Sequence, residues 1–118
     1  MYAPEMRLAP EDTSGPALVV TLTYDVRPDA HEQFLSALQH VRRARRRTGA
    51  VQWAVYRDAE QPNQFNETFI VPTWEEHIRE HERRTATDLQ TQDNLRPFLR
   101  DSHLPHARHY IAAKRQIR

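Results

Sequence analysis

The chain has 118 residues, 38% hydrophobic and 28% charged, and its 17 Lys and Arg against 16 Asp and Glu leave a net charge of +1. That length supports one domain, the balanced charge supplies no global field to draw a polyanion, and the absence of cysteine excludes disulfides, thiolate zinc sites and a cysteine nucleophile. No run approaches the ~18 apolar residues of a membrane span, and residues 1–16 (MYAPEMRLAPEDTSGP) are polar and proline-rich rather than basic then apolar, so the expectation is no direct membrane insertion, no signal peptide and a cytoplasmic location.

Pro4, Pro10, Gly15 and Pro16 mark residues 1–16 as a flexible N-terminal tail. From Ala17 to Val26, Leu18, Val20, Leu22, Tyr24 and Val26 alternate with Val19, Thr21, Thr23 and Asp25, the period-two pattern of a strand rich in β-branched residues. Asp29 and Glu32 have capping-box spacing and open a helix whose stripe is Phe34, Leu38 and Val41. It runs to about Thr48, and Gly49 is placed to end it. Ala50–Arg57 and Phe65–Thr73 read as two strands of a hairpin joined by the polar loop from Asp58 to Gln64, with Pro72 stopping the second. Thr73 and Glu76 form a second capping-box pair, and a helix follows with Trp74, Ile78, His81, Thr85 and Leu89 on one stripe. It breaks near Thr85–Thr87 and restarts before Pro97. His106–Ala113 closes the domain as a short strand, and residues 114–118 form a C-terminal tail.

The order β-α-β-β-α-β, with right-handed crossovers, predicts a ferredoxin-like α+β domain over residues 17–113: a four-stranded antiparallel sheet with its helices on one face. Bulky residues on both faces of the strands leave the helix-free face in need of a cover. A homodimer packed sheet to sheet is the expected solution.

The strand ending Glu67-Thr-Phe-Ile-Val, the helix carrying Trp74, Glu75, Glu76, His77, Ile78 and His81, and the closing Arg108-His-Tyr-Ile-Ala-Ala113 resemble the dimeric α+β barrel superfamily that includes antibiotic biosynthesis monooxygenases. Arg43 to Thr48, Trp53-Ala-Val-Tyr-Arg-Asp58, Glu67-Thr-Phe and His77 to Arg83 more closely resemble the soluble C-terminal domain of major-facilitator transmembrane secretion effectors. The resemblance covers residues 17 to 113. It implies a paired-barrel dimer with a cleft between sheet and helices that takes small aromatic or polyketide-like molecules in the enzymatic relatives. The cofactor-free monooxygenases resemble one another in an Asn on the first strand and a Trp just before the second helix. This chain departs from them, with Thr21 and Thr23 on strand one, Pro72 at the edge position and Trp74 two residues further on.

Few residues offer chemistry. His77 and His81 are four apart on a helix, a spacing that lets two imidazoles reach one metal, but the order is not that of His-Glu-x-x-His and a third ligand would have to come from His103, His106 or His109. The expectation is therefore no metal and no cofactor. His81, on the apolar stripe, is either a hydrogen-bonded, partly buried histidine or a ligand contact or general base in the cleft. Glu67 shares a strand face with Phe65, Phe69 and Val71, so it is either paired with a cation, Arg57 or Arg108, or an acid of perturbed pKa at a ligand site. Trp53 and Trp74 are core residues by default and cleft-lining aromatics otherwise. The candidate catalytic residues are thus His81, Glu67 and Trp74, and the candidate ligand contacts are Trp53, Tyr24 and His77.

The run Arg42-Arg-Ala-Arg-Arg-Arg47 sits at a helix C-terminus, where the dipole favours cations. Its charges spread around the helix, Arg45 falls on the buried stripe with its stem free to snorkel, and no aromatic platform accompanies it, so nucleic acid is not expected as a partner. Two functions remain: a small-molecule-binding or regulatory dimeric domain, and a cofactor-independent monooxygenase or cyclase acting on an aromatic or polyketide-like substrate.

Overall fold

A computed structural model describes residues 17–113; both expected tails lie outside them. β1 (Leu18–Asp25) leads to α1 (His31–Arg47), then β2 (Gln52–Arg57) and β3 (Gln64–Val71), α2 (Trp74–Arg83) and α3 (Ala86–Asp93), two 3-10 turns at Arg96–Phe98 and Arg100–Ser102, and β4 (Arg108–Ile111). The sheet is antiparallel throughout, in the order β2-β3-β1-β4. This is the ferredoxin-like α+β architecture that the strand and helix order predicts.

Alternation decides which face of the sheet is covered. Leu18, Val20, Leu22 and Tyr24 of β1 and Phe65, Glu67, Phe69 and Val71 of β3 are buried, and they meet Phe34, Leu38 and Val41 of α1 and Trp74 of α2 in a single core. The opposite face carries Val19, Thr21 and Thr23 paired across from Ile70, Thr68 and Asn66. Tyr56 and Tyr110 also project there, 61% and 47% exposed. Pairing of Trp53 with Phe69 puts both on the helix side. The helix-free face thus mixes threonines with Val19, Ile70, Tyr56 and Tyr110.

Local signals hold in some places and fail in others. Thr73 accepts from the Glu76 amide at 3.1 Å, as its spacing predicts, but the Glu76 carboxylate turns to Arg79 and Arg83 and leaves the box half made. The Asp29–Glu32 box does not form. Ala30 is the N-cap with no side-chain bond, and Asp29 pairs with Arg27. Gly49 sits at φ +129°, outside the reach of most side chains. The second helical stretch is two helices. Arg84 is extended, and Thr85 with Asp88 builds a complete capping box that starts α3. The buried residues of α2 are Trp74, His77 and Glu80. Of the predicted stripe, Ile78 and His81 are only partly buried, and Thr85 and Leu89 are exposed.

Candidate functional site

Two polar clusters lie between the sheet and the helices. The first is centred on Glu67, which is 0% exposed. Its Oε1 accepts from the Tyr24 hydroxyl at 2.7 Å and from Arg45 Nη2 at 3.4 Å, and its Oε2 accepts from Trp53 Nε1 at 2.9 Å and Arg45 Nε at 3.0 Å. The Arg45 guanidinium also stacks 4.7 Å from the Phe69 ring centroid. Burial alone would raise the carboxyl pKa, but the Arg45 charge and the hydrogen bonds from Arg45, Tyr24 and Trp53 outweigh it and hold Glu67 below the usual carboxylate range. Burial likewise works against the Arg45 charge, and Glu67 overcomes it, so Arg45 is held more firmly protonated than a free arginine. Tyr24 moves the other way: burial, then the neighbouring Glu67 charge, push its phenol well above the ordinary value. All three groups are locked in one charge state at neutral pH.

The second cluster is on α2. His77 and Glu80 are each 1% exposed. Glu80 Oε2 accepts from Thr48 Oγ1 at 3.2 Å and Arg84 Nε at 3.0 Å, while Glu80 Oε1 and both ring nitrogens of His77 are buried without a hydrogen bond. His81 crosses His77 edge to face at 4.7 Å between centroids, and His109 of β4 stands 5.1 Å from His77 on another side. Burial first, then the neighbouring His81, push the His77 pKa down to about 3; burial and Arg84 do the same to His81. Both rings are neutral in the folded protein.

A cavity of about 190 Å³ joins the two clusters. Val20, Leu22 and Phe69 give it an apolar floor from the sheet, Arg45 and Gln92 border it on one side, and His77, His81 and Arg84 on another. His106, Ala107 and His109 close it from the β4 approach. A larger hollow of about 760 Å³ between α1 and α3, lined by residues such as Glu32, Ser36 and His40, contains no buried polar group, and the cavity between the two polar clusters is the better candidate site.

The sequence profile of the transmembrane secretion effector family matches residues 1–117. The chain belongs to that family. No curated protein matches the chain significantly. Solved structures give this transmembrane secretion effector family member its fold relatives. SnoaB, a cofactor-independent oxygenase from Streptomyces nogalater, is 16% identical over 87% of this chain and 97% of its own, with a TM-score of 0.64. A candidate antibiotic biosynthesis monooxygenase from Nitrosomonas europaea is 19% identical over 85% and 93%, TM-score 0.66. A conserved protein from Methanosarcina mazei is 14% identical over 80% and 91%, TM-score 0.66. The resemblance to antibiotic biosynthesis monooxygenases in architecture is therefore real, and at these identities it is a statement about fold. Among the described residues no helix is long and apolar enough to cross a membrane.

Of the residues singled out in the sequence, His81 and His77 line the cavity. Glu67 does not; it lies behind Arg45, and its partner is Arg45 rather than Arg57 or Arg108. Arg45 therefore buries its charged head as well as its stem, contrary to the expectation of snorkelling. Tyr24 and Trp53 serve Glu67 with their polar atoms. Trp74 packs in the core against His77, 5.8 Å between centroids, away from the cavity lining. The sequence placed Arg45 on the buried stripe but not as the partner of Glu67, and Glu80 was not singled out at all. Arg45 was visible as a cation at the fourth position of the Phe34, Leu38, Val41 stripe, and Glu80 as the acid immediately before His81 in His77-x-x-Glu80-His81, the inverse of the order sought.

Proposed function

We propose that this domain is a small-molecule-binding module that works as a homodimer in association with an export transporter, and that its ligand is a small aromatic carrying a hydroxyl or acidic group. The observation that carries this reading is the cavity, whose apolar floor lies beneath a polar rim of His81, Arg84 and His106. A dry cavity of ~150 Å³ accommodates one benzene ring, so about 190 Å³ fits a single substituted ring. A fused polyketide-like ligand would have to open the His106–His109 side. The family name supports the transporter association, and the helix-free face, with Val19, Ile70, Tyr56 and Tyr110, supports the dimer.

The alternative, a cofactor-independent monooxygenase or cyclase, needs a general base in the cavity. A base works best with a pKa near the operating pH; His77 and His81, pushed down to about 3, are poor proton acceptors, and Glu67 already receives four hydrogen bonds. Binding is the better-supported reading. Titration with 4-hydroxybenzoate, followed by NMR, should saturate and should be abolished by Ala107→Phe, which fills the cavity from its rim, in protein that melts normally. Binding unchanged in that variant would place the ligand elsewhere. Oxygen uptake with an anthrone, lost in His81→Ala and kept in Gln39→Ala, would favour the enzyme.

A further inference from the structure

His77, Glu80 and His81 turn three ligand-type atoms toward one another inside the protein. His77 Nδ1 lies 3.6 Å from Glu80 Oε1, and His81 Nε2 lies 3.9 Å from the same oxygen; one ligand atom from each of the three residues falls within 4.8 Å of the other two. Bonds of ~2.0–2.2 Å to a tetrahedral ion put donor atoms about 3.4 Å apart, so the present spacing needs only side-chain contraction. Two of these atoms, His77 Nδ1 and Glu80 Oε1, are buried without a hydrogen bond, a costly condition for polar groups in a folded interior. The third side chain, His81, opens on the cavity.

We propose that His77 Nδ1, Glu80 Oε1 and His81 Nε2 form a binding site for one divalent first-row transition ion, with zinc the leading candidate. Two imidazoles and a carboxylate are a mixed nitrogen and oxygen set suited to zinc, iron(II) and cobalt(II), and three protein ligands leave at least one coordination position for water or a small molecule. Both histidines line the cavity, so a molecule there has a route to such a position. The other carboxylate oxygen is held by Thr48 Oγ1 and Arg84 Nε, the kind of outer support that fixes a ligating carboxylate. Because the helix supplies all three donors at i, i+3 and i+4, formation of the site needs only α2, placed by its packing. The site stands apart from the ligand reading above: an ion could bind with the cavity otherwise empty. It replaces the expectation of no metal, which weighed the two histidines without Glu80.

The test uses the full chain, purified without a histidine tag and stripped with EDTA. Cobalt(II) is titrated in and its visible absorption recorded, with zinc as competitor. One cobalt per chain, bound at micromolar concentration or tighter, is expected, with the intense visible bands of a four- or five-coordinate ion and their loss on adding one equivalent of zinc. His81→Ala, the least buried of the three changes, should weaken binding at least 100-fold, Glu80→Gln should weaken it as well, and His106→Ala should leave it unchanged. No saturable spectrum below about 1 mM in natively folded wild-type protein would overturn the proposal without recourse to any variant, and would leave a buried water as the occupant. Undiminished binding in folded His81→Ala, or its loss in His106→Ala alone, would overturn it too by placing the ion elsewhere.

Discussion

Replacing Glu67 with glutamine tests whether the buried polar cluster is held together by charge or only by shape. The amide keeps the volume but offers one oxygen where the carboxylate offers two. Each carboxylate oxygen now serves two donors, Tyr24 Oη with Arg45 Nη2 on one side and Trp53 Nε1 with Arg45 Nε on the other. Whichever way the amide turns, its NH₂ confronts two donors and the Arg45 charge loses its counter-ion. Breaking a buried ion pair from one side costs about 3–5 kcal/mol, and each stranded donor adds to that unless it relaxes toward water; about 4 kcal/mol is expected, a large share of the ~5–15 kcal/mol that holds a domain of this size. Urea denaturation at pH 7, at fixed protein concentration and followed by circular dichroism, measures it. The triple variant Tyr24→Phe, Arg45→Met, Glu67→Leu removes the cluster rather than orphaning it and should return to within about 2 kcal/mol of wild type, since half-buried Trp53 can give its N–H to solvent. A loss below about 1 kcal/mol for Glu67→Gln with an unchanged urea slope, or a triple variant weaker than the single one, would refute the reasoning.

Acid should weaken the protein in two stages. His77 and His81 titrate near 3 when folded against ~6.5 when unfolded, so the unfolded chain takes up protons first and stability falls as pH drops below about 6.5. Glu67, held below its ordinary pKa, gives stability that is present above the usual carboxylate range and is lost as pH falls through the folded value. With EDTA present, urea midpoints should decline already between pH 6.5 and 5 and decline less in His81→Phe; a flat profile over that interval would contradict the burial of neutral imidazoles. Sedimentation equilibrium at tens of micromolar should give twice the 14.0 kDa chain mass, and Ile70→Arg, on the helix-free face of the inner strand β3, should give monomer; wild-type monomer would remove the sheet-to-sheet interface.

The strands were legible because alternation along Leu18–Asp25 and Gln64–Val71 is a purely local record of which side is buried. The break at Arg84 was visible only as a vague weakening, since Thr85-x-x-Asp88 competes with helix continuation and pattern alone does not say which wins. Separately, the predicted stripe took Ile78 and His81 where the buried face of α2 runs through His77 and Glu80, and that offset of one residue hid Glu80. The Glu67–Arg45 pair was harder still. Glu67 was recognisable as an acid among apolar neighbours, but its partner lies 22 positions away on another element, and only the crossing of α1 over β3 selects Arg45 above the strand residues Arg57 and Arg108.

The position of β1 has a consequence for how the chain is made. β1 is synthesised first yet lies inside the sheet, bonded on one edge to β3 and on the other to β4. During translation at ~5–20 residues per second, β3 can pair as soon as it leaves the ribosome, while the second edge of β1 waits several seconds more for Arg108–Ile111 to emerge. For that interval Leu18 to Thr21 present unpaired amides and carbonyls beside apolar side chains, a template for another nascent chain. The shortest strand of the sheet is therefore also the one that seals it, and its arrival decides whether the open edge of β1 joins this fold or an aggregate.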